Sequence, residues 1–441
     1  MREKRSIRRR ILALFLAAAV TGAAVGGNAV AVFAVAQEEN RSEEEAPEET
    51  NEEAPQEAPA EPAEEVYHTE AYHQPAQTDS LPGWPQAPAI EAGSAVVIDP
   101  DNGAILYSKN ADVRKYPASI TKILTCLLAC ENLDKSMVFE MTASAAYGIE
   151  PGSSSIYGDT GEIFTVEQAI MALMLESANE MALMLGELTS GSEKKFVEKM
   201  NARTRAIGCT GTHFNNPNGL PDTHHYTTAG DMARIAYTCW VNPEFRRYVT
   251  TGYYEIPPTN IQKETRYMLN HHKMMEFRDY AYPGVLGGKT GYTDAAGNTL
   301  ITYATQGDLS VAVAVLDGIG GAYADTAALL DYAFGNFKKV AMWNLPRDVD
   351  SIRNKNLPCD KYILKNLGDV RPFYTTQYRI NVTLPEGVAN TSVKRKMTLT
   401  KNAAGMPYLI NQYTYEGNPV GTVKVYERKV MQDLLITDPF H

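Results

Sequence analysis

Between residues 94 and 338 the sequence runs strands, then helices, then strands again, and that order limits the fold more than any other feature. Residues 94–99 are rich in β-branched side chains, and residues 104–107 form a second short apolar run. Pro100, Asp101, Asn102 and Gly103 lie between them, so the pair reads as a hairpin. Helical patterns cover residues 119–131 and 166–186, the second opening on Thr165 with Gln168 three residues later, a capping box. Strand patterns return at 285–292, 299–305 and 309–316, and a helix from 325 to 338 closes the unit. Strands kept apart from helices in this way predict an α+β domain, an antiparallel sheet flanked by helices, over residues 91–340. Past Trp343, runs at 379–384, 397–400 and 420–426 are punctuated by Gly, Pro and Asn. They predict a separate small all-β domain over residues 341–441.

The N-terminal residues have a different composition. Arg2, Lys4, Arg5, Arg8, Arg9 and Arg10 stand against Glu3 alone, and residues 11–36 carry no charge and end on Ala34, Val35 and Ala36. A basic head, an apolar run and a small-residue exit read as a signal peptide over 1–36, cleaved after export. The run is also long enough to stay as an anchor across a bilayer core of ~30 Å. Residues 37–65 then hold 13 Glu and one Arg, a net charge of −12 that equals the formal charge of the whole chain. The acidic pI therefore belongs to one stretch. Glu, Pro and Ala repeats cannot bury a core, so residues 37–90 are expected to be a disordered linker. The remaining chain has no basic patch that would bind nucleic acid. The five cysteines are odd in number and lack zinc-like spacing. Cys126 and Cys130 fall four apart in an apolar helical run and read as small core residues.

Three short motifs carry candidate chemistry. Ser119 and Lys122 are three residues apart at a helix start, after Pro117, so an amine shares one face with a hydroxyl. A serine becomes a nucleophile when a neighbouring base takes its proton, and a lysine serves when burial or nearby positive charge lowers its pKa. The helix N-terminus adds N–H groups that suit an oxyanion. Ser177 and Asn179 interrupt two apolar helical stretches, where a plain helix–helix turn would look the same. Lys289, Thr290 and Gly291 lie on a predicted strand, Gly291 leaving room for a peptide to approach its edge. Each motif alone is weak. In this order and spacing they are the S-x-x-K, serine–asparagine and K-T-G set of β-lactamases and penicillin-binding proteins.

The chain resembles the low-molecular-mass penicillin-binding D,D-carboxypeptidases, serine D-alanyl-D-alanine carboxypeptidases with a β-lactamase/transpeptidase-like domain. The likeness runs from about Ser94 to Lys338. It includes Ile98-Asp99-Pro100-Asp101-Asn102-Gly103, Leu175-Glu176-Ser177-Ala178-Asn179, Asn216-Pro217-Asn218-Gly219 and Gly288-Lys289-Thr290-Gly291-Tyr292. The resemblance implies that Lys122 deprotonates Ser119, which attacks the bond between the last two D-alanines of a peptidoglycan stem peptide. It implies an oxyanion hole from the backbone N–H groups of Ser119 and Tyr292, and proton relay by Ser177 to the leaving D-alanine. Asn179 would hold the substrate backbone and Lys122, and Lys289 and Thr290 its terminal carboxylate. β-Lactams would acylate Ser119, and neither metal nor other cofactor is needed. The site would work outside the cytoplasm, in the cell envelope, by a secreted or N-terminally anchored protein. Two departures stand out. Many relatives carry a basic residue where Gly320, Gly321 and Ala322 precede Tyr323, and many end in an amphipathic membrane helix that is not found before His441.

Rival functions share parts of this pattern. A D,D-endopeptidase would use the same residues on cross-links. A class A β-lactamase would need a Glu-x-x-x-Asn between Ser177 and Lys289, and there is none. A zinc peptidase would need clustered ligands, but His224, His225, His271 and His272 lack H-E-x-x-H spacing and read as surface or loop histidines. A non-catalytic wall-binding protein would have no chemical need for Ser119, Lys122, Ser177, Asn179 and Lys289 together.

Overall fold

The computed structural model describes residues 70–318, 321–344, 373–374, 379–401 and 407–427. The expected signal segment 1–36, the acidic stretch up to residue 69, Gly320 and Cys359 lie outside the described residues. In chain order come β1 (Ser94–Ile98), β2 (Ile105–Lys109), a 3-10 turn (Ala118–Thr121), α1 (Lys122–Asn132), β3 (Val138–Glu140), α2 (Ala143–Tyr147) and β4 (Ile163–Thr165). Then follow α3 (Val166–Leu175), α4 (Asn179–Ser190), α5 (Glu193–Ile207), α6 (Ala229–Trp240), α7 (Pro243–Val249), β5 (Tyr253–Ile256) and β6 (Arg266–Leu269). Next are β7 (Val285–Thr293), β8 (Gly297–Gln306), β9 (Leu309–Gly318), α8 (Ala322–Asn336) and β10 (Phe337–Asn344). The C-terminal strands are β11 (Phe373–Tyr374), β12 (Arg379–Pro385), β13 (Lys394–Lys401), β14 (Pro407–Tyr415) and β15 (Asn418–Glu427).

Five strands form one antiparallel sheet in the order β2-β1-β9-β8-β7, so the first hairpin joins the last three strands of the unit. Its middle strands are apolar on both faces because both faces are covered. Along β9, Ala312, Ala314 and Leu316 enter the core beneath the helices, while Val311, Val313 and Val315 enter a second core on the opposite side. Strand β1 divides in the same way, Val96 and Ile98 to one face and Ala95 and Val97 to the other. This is the two-residue period of a strand, read between two layers instead of between core and water. On the helical face, α1 lies among α3, α4 and α6, and Thr165 closes the capping box with Gln168 at the start of α3.

The second core joins α8 to the C-terminal strands. Leu329, Leu330 and Ala333 pack there with Val382, Leu384, Tyr413, Tyr415 and Val420. Strands β13, β14, β15 and β11 form a four-stranded antiparallel sheet, and β10 pairs with β12. The last helix stops at Asn336, two residues before its expected end. Phe337 turns extended and starts β10, whose ladder to β12 takes up Lys338.

The expected disordered linker does not extend to residue 90. From residue 70 the chain is tied down by the apolar side chains of Ala76, Trp84 and Ile90 in the second core. The Trp84 indole donates to the Leu106 carbonyl at 2.9 Å and packs on Phe337 and Tyr415. The Glu-rich composition that argues for disorder ends at residue 65, before these anchors begin. Cys126, Cys130, Cys209 and Cys239 are free and buried. All four histidines lie outside helices and strands, in keeping with the loop reading, but they divide within each pair: His225 and His272 are buried, whereas His224 and His271 are exposed.

Candidate active site

Ser119 sits in the 3-10 turn, and the α-helix proper begins at Lys122. The turn is held by an unusual backbone: Ala118 takes φ +49°, left-handed for a residue with a side chain. Two glycines allow this corner to close. Gly219, at φ +90°, lies so near the Ala118 carbonyl that a Cβ would collide with it. On the other side, a Cβ on Gly291 would meet Thr299 Oγ1 and the backbone N of Ser119. Thus β7 runs directly against the nucleophile's backbone, and Thr299 Oγ1 donates to the Pro117 carbonyl at 2.8 Å to fix the contact.

Lys122 Nζ lies 2.9 Å from Ser119 Oγ and donates to the Asn218 carbonyl at 2.6 Å. Burial pushes its pKa well below the usual lysine range, the nearby Lys289 ammonium lowers it further, and Glu180 opposes both. Lys289, also buried, is brought down to about 7 by desolvation, with Glu176 pulling the other way. Its Nζ donates to the Thr290 carbonyl at 2.8 Å. Two ammonium groups in one dry cleft cannot both hold their protons cheaply. Lys122 is the one better placed to be neutral, because the Lys289 ammonium lowers it more than Glu180 raises it, while Lys289 has Glu176 in support.

Ser177 and Asn179 lie at the break between α3 and α4, both buried. Ser177 takes φ +59°, a second left-handed residue with a side chain. The Ser177 hydroxyl and Asn179 Oδ1 have no hydrogen-bond partner among the described residues. Buried polar atoms left so are costly unless a ligand or water meets them. The break is braced from behind, since Asn179 N donates to the Ser154 carbonyl at 2.8 Å and Glu180 accepts from Ser155 Oγ and Ile156 N. In front, burial raises the Glu176 carboxyl, but hydrogen bonds from His271 Nε2 and Leu269 N, each 2.9 Å, outweigh it and keep the group ionised. Thr290 and Gly291 are half-buried on β7, and the Tyr292 side chain is exposed at its end.

Three groups that matter here have no role assigned by the sequence reading. The Asn218 carbonyl holds Lys122, and a backbone carbonyl has no residue signature. His225 Nδ1 accepts from Asn215 N at 3.0 Å, so its proton sits on Nε2, 2.9 Å from Thr121 Oγ1. His272 lies 2.8 Å from Thr302 Oγ1, behind Gly288. Burial brings both imidazoles down to about 3, so they are neutral packing groups beside the cleft and add no charge to it.

The chain is similar to known proteins. A family model described as D-alanyl-D-alanine carboxypeptidase matches residues 83–320. The chain is 34% identical over 272 residues to the D-alanyl-D-alanine carboxypeptidase DacF of Bacillus subtilis, covering 60% of this chain and 68% of that protein. It is 31% identical over 274 residues to DacA of Escherichia coli, covering 59% and 64% respectively. The solved D-alanyl-D-alanine carboxypeptidase of Mycobacterium tuberculosis superimposes with a TM-score of 0.53 at 27% identity, over 58% of this chain and 95% of that one. The matched segment is more than half of the sequence and contains Ser119, Lys122, Ser177, Asn179 and Lys289. The chain belongs to the D-alanyl-D-alanine carboxypeptidase family of serine hydrolases.

Proposed function

We propose that this enzyme removes the terminal D-alanine from peptidoglycan stem peptides through an acyl-enzyme on Ser119, working outside the cytoplasm in the cell envelope. The observation that carries this reading is the 2.9 Å approach of a buried, pKa-depressed Lys122 amine to the Ser119 hydroxyl. Neutral Lys122 takes the hydroxyl proton as Oγ bonds to the carbonyl carbon between the last two D-alanines. The negative charge formed on that oxygen is met by the backbone N–H groups of Ser119 and Tyr292. Ser177 passes a proton to the departing amine, which breaks the C–N bond, and Asn179 holds the substrate backbone. Lys289 and Thr290 grip the terminal carboxylate, and its arrival stabilises the Lys289 ammonium that burial has weakened. Water then attacks the ester, Lys122 again taking the proton, and frees Ser119. β-Lactams enter the same first step and stay bound.

The test is release of D-alanine from a soluble peptide ending in D-Ala-D-Ala, by wild type and Ser119→Ala, with mass spectrometry of Ser119 after a β-lactam. Release and acylation by the wild type alone are expected. A folded wild type that does neither, or a Ser119→Ala variant that keeps both, would falsify the assignment.

A further inference from the structure

Past the far end of the nucleophile helix lies a cavity of about 540 Å³ that the proposed chemistry does not use. Helix α1 holds Lys122 in its first turn and Glu131 in its last, and Glu131 lines the cavity, roughly 14 Å along the helix from Lys122. One wall is helical and carries Arg203, near the end of α5, and Arg234 on α6. The other wall is the C-terminal sheet, with Gln412 on β14 and Thr422 and Lys424 on β15. Strand register extends that wall. Lys394 pairs with Thr414 and Lys396 with Gln412, so both lysines stand on the face that the cavity uses. Their neighbour Met397 and the residue opposite Arg395, Tyr413, pack on the other face, in the second core. Lys394 and Lys396 are therefore about 7 Å apart, and Lys424, two strands across and two residues along, is about 12 Å from Lys396.

These cations are only partly matched. Arg203 gives one N–H to Glu131 at 2.6 Å and Arg234 one to Asp231 at 3.3 Å, while the buried Arg203 Nε has no hydrogen-bond partner among the described residues. Lys394, Lys396 and Lys424 have no carboxylate partner among the described residues. Burial in the cavity lowers the Lys424 pKa and the Arg203 guanidinium lowers it further, so two like charges share the space. The chain as a whole carries −12, so this excess of cations is local. No single run of sequence announces it, because the cations come from α5, α6, β13 and β15. A chain with phosphates in its own backbone can meet both walls at once, one anionic oxygen to each side. A carboxylate on a side arm presents both oxygens in one direction. Repeated charges suit the spaced lysines, and the guanidinium forks suit phosphate. Thr238, Gln412 and Thr422, neutral hydrogen-bonding groups among the cations, suit hydroxyls on the units that join the phosphates.

We propose that this cavity and the adjoining face of β13, β14 and β15 bind a linear polyol phosphate, a phosphodiester polyanion with hydroxyl-bearing units, and hold the enzyme on it while the catalytic cleft stays open. The probe is a fluorescent glycerol phosphate decamer, and its binding to the full chain is read by anisotropy as salt rises from about 0.05 to about 0.2 M. Saturable binding is expected, with an affinity that falls as salt rises, because a bound polyanion releases counterions. Lys424→Gln should weaken it about fivefold, and Lys394→Gln with Lys396→Gln about tenfold, each lost lysine making the salt dependence shallower. Lys401→Gln removes an equal charge from the opposite face of β13 and should leave the affinity within about twofold of wild type, because salt screens a charge on the far face. Equal weakening by Lys401→Gln would mean diffuse attraction and would overturn the proposal. So would a lack of saturable binding, or equally tight binding of a glutamate decamer or an oligothymidylate of the same charge. Acylating Ser119 with a β-lactam beforehand should not change the affinity; a loss would put the polymer in the catalytic cleft, against the proposal. The readout is binding and not D-alanine release, so the site stands or falls apart from the acyl-enzyme reading.

Discussion

Lys109 and Lys122 are both buried lysines, 1% and 0% exposed, yet their surroundings give them opposite uses. Lys109, at the end of β2, donates to the carbonyls of Ala71 at 2.6 Å and Ile90 at 2.8 Å. Burial lowers its pKa, but Asp325 and Glu91 pull it back. Asp325 is itself held in place by Glu91 N and Ala92 N. The ammonium is a clamp that fastens residues 71–92 to the sheet edge. Lys122 has one carbonyl, one hydroxyl and a second ammonium in its field, whose effect outweighs that of the Glu180 carboxylate. Burial acts on both; the sign of the stronger neighbouring charge decides which lysine stays a cation and which becomes a base.

The comparison breaks most visibly at Lys122. Lys122→Met keeps length and apolar stem but removes the base. Acylation of Ser119 by a chromogenic β-lactam should slow by roughly 10³-fold, within the range for a general base. The unfolding midpoint should move by no more than ~5 °C, because a buried ammonium adds little net stability. Rapid acylation in this variant would remove Lys122 from the chemistry.

Lys109→Met should do the converse. It strands the buried Ile90 carbonyl and the half-buried Ala71 carbonyl and takes the counter-charge from Asp325, so denaturant unfolding should show a loss of ~2–4 kcal/mol. The acylation rate of the folded fraction should match wild type. A Lys109 variant with normal stability and slow acylation would show that the clamp reaches the cleft, and that the two lysines are not separate devices.

Much of this was legible before any coordinates. Ser119, Lys122 and Lys289 are local patterns whose meaning comes from their order, and the hairpin, the capping box at Thr165 and the three late strands follow from periods of two and 3.6. What stayed hidden depends on tertiary approach. The burial of the loop histidines His225 and His272 is one case, because nothing in sequence says that Thr121 and Thr302 will meet them. The helices Glu193–Ile207 and Ala229–Trp240 have no counterpart among the sequence expectations, which took from that stretch the family-like residues 216–219. The start of strand β10 was hidden inside the expected last helix, because only the β12 ladder, some forty residues on, draws Phe337 out of it.

Glu180 sharpens the comparison at its finest point, as the cleft's closest analogue of Asp325. It is fully buried, one residue after Asn179, and Oε1 accepts from Ser155 Oγ at 2.8 Å and Ile156 N at 2.7 Å. Its charge favours the Lys122 ammonium, so it works against burial and Lys289. Glu180→Gln can keep both hydrogen bonds through the amide oxygen while removing that charge. The Lys122 pKa should then fall further. Because activity requires neutral Lys122, kcat/KM rises with pH as the free enzyme loses this proton. A lower pKa starts that rise earlier, so the acid limb of the profile should move to lower pH with the plateau nearly unchanged. A limb that stays in place would mean that Glu180 only braces the turn below Ser177. A limb that moves to higher pH would mean that the titrating group is not Lys122, and the contrast with Lys109 would need another base.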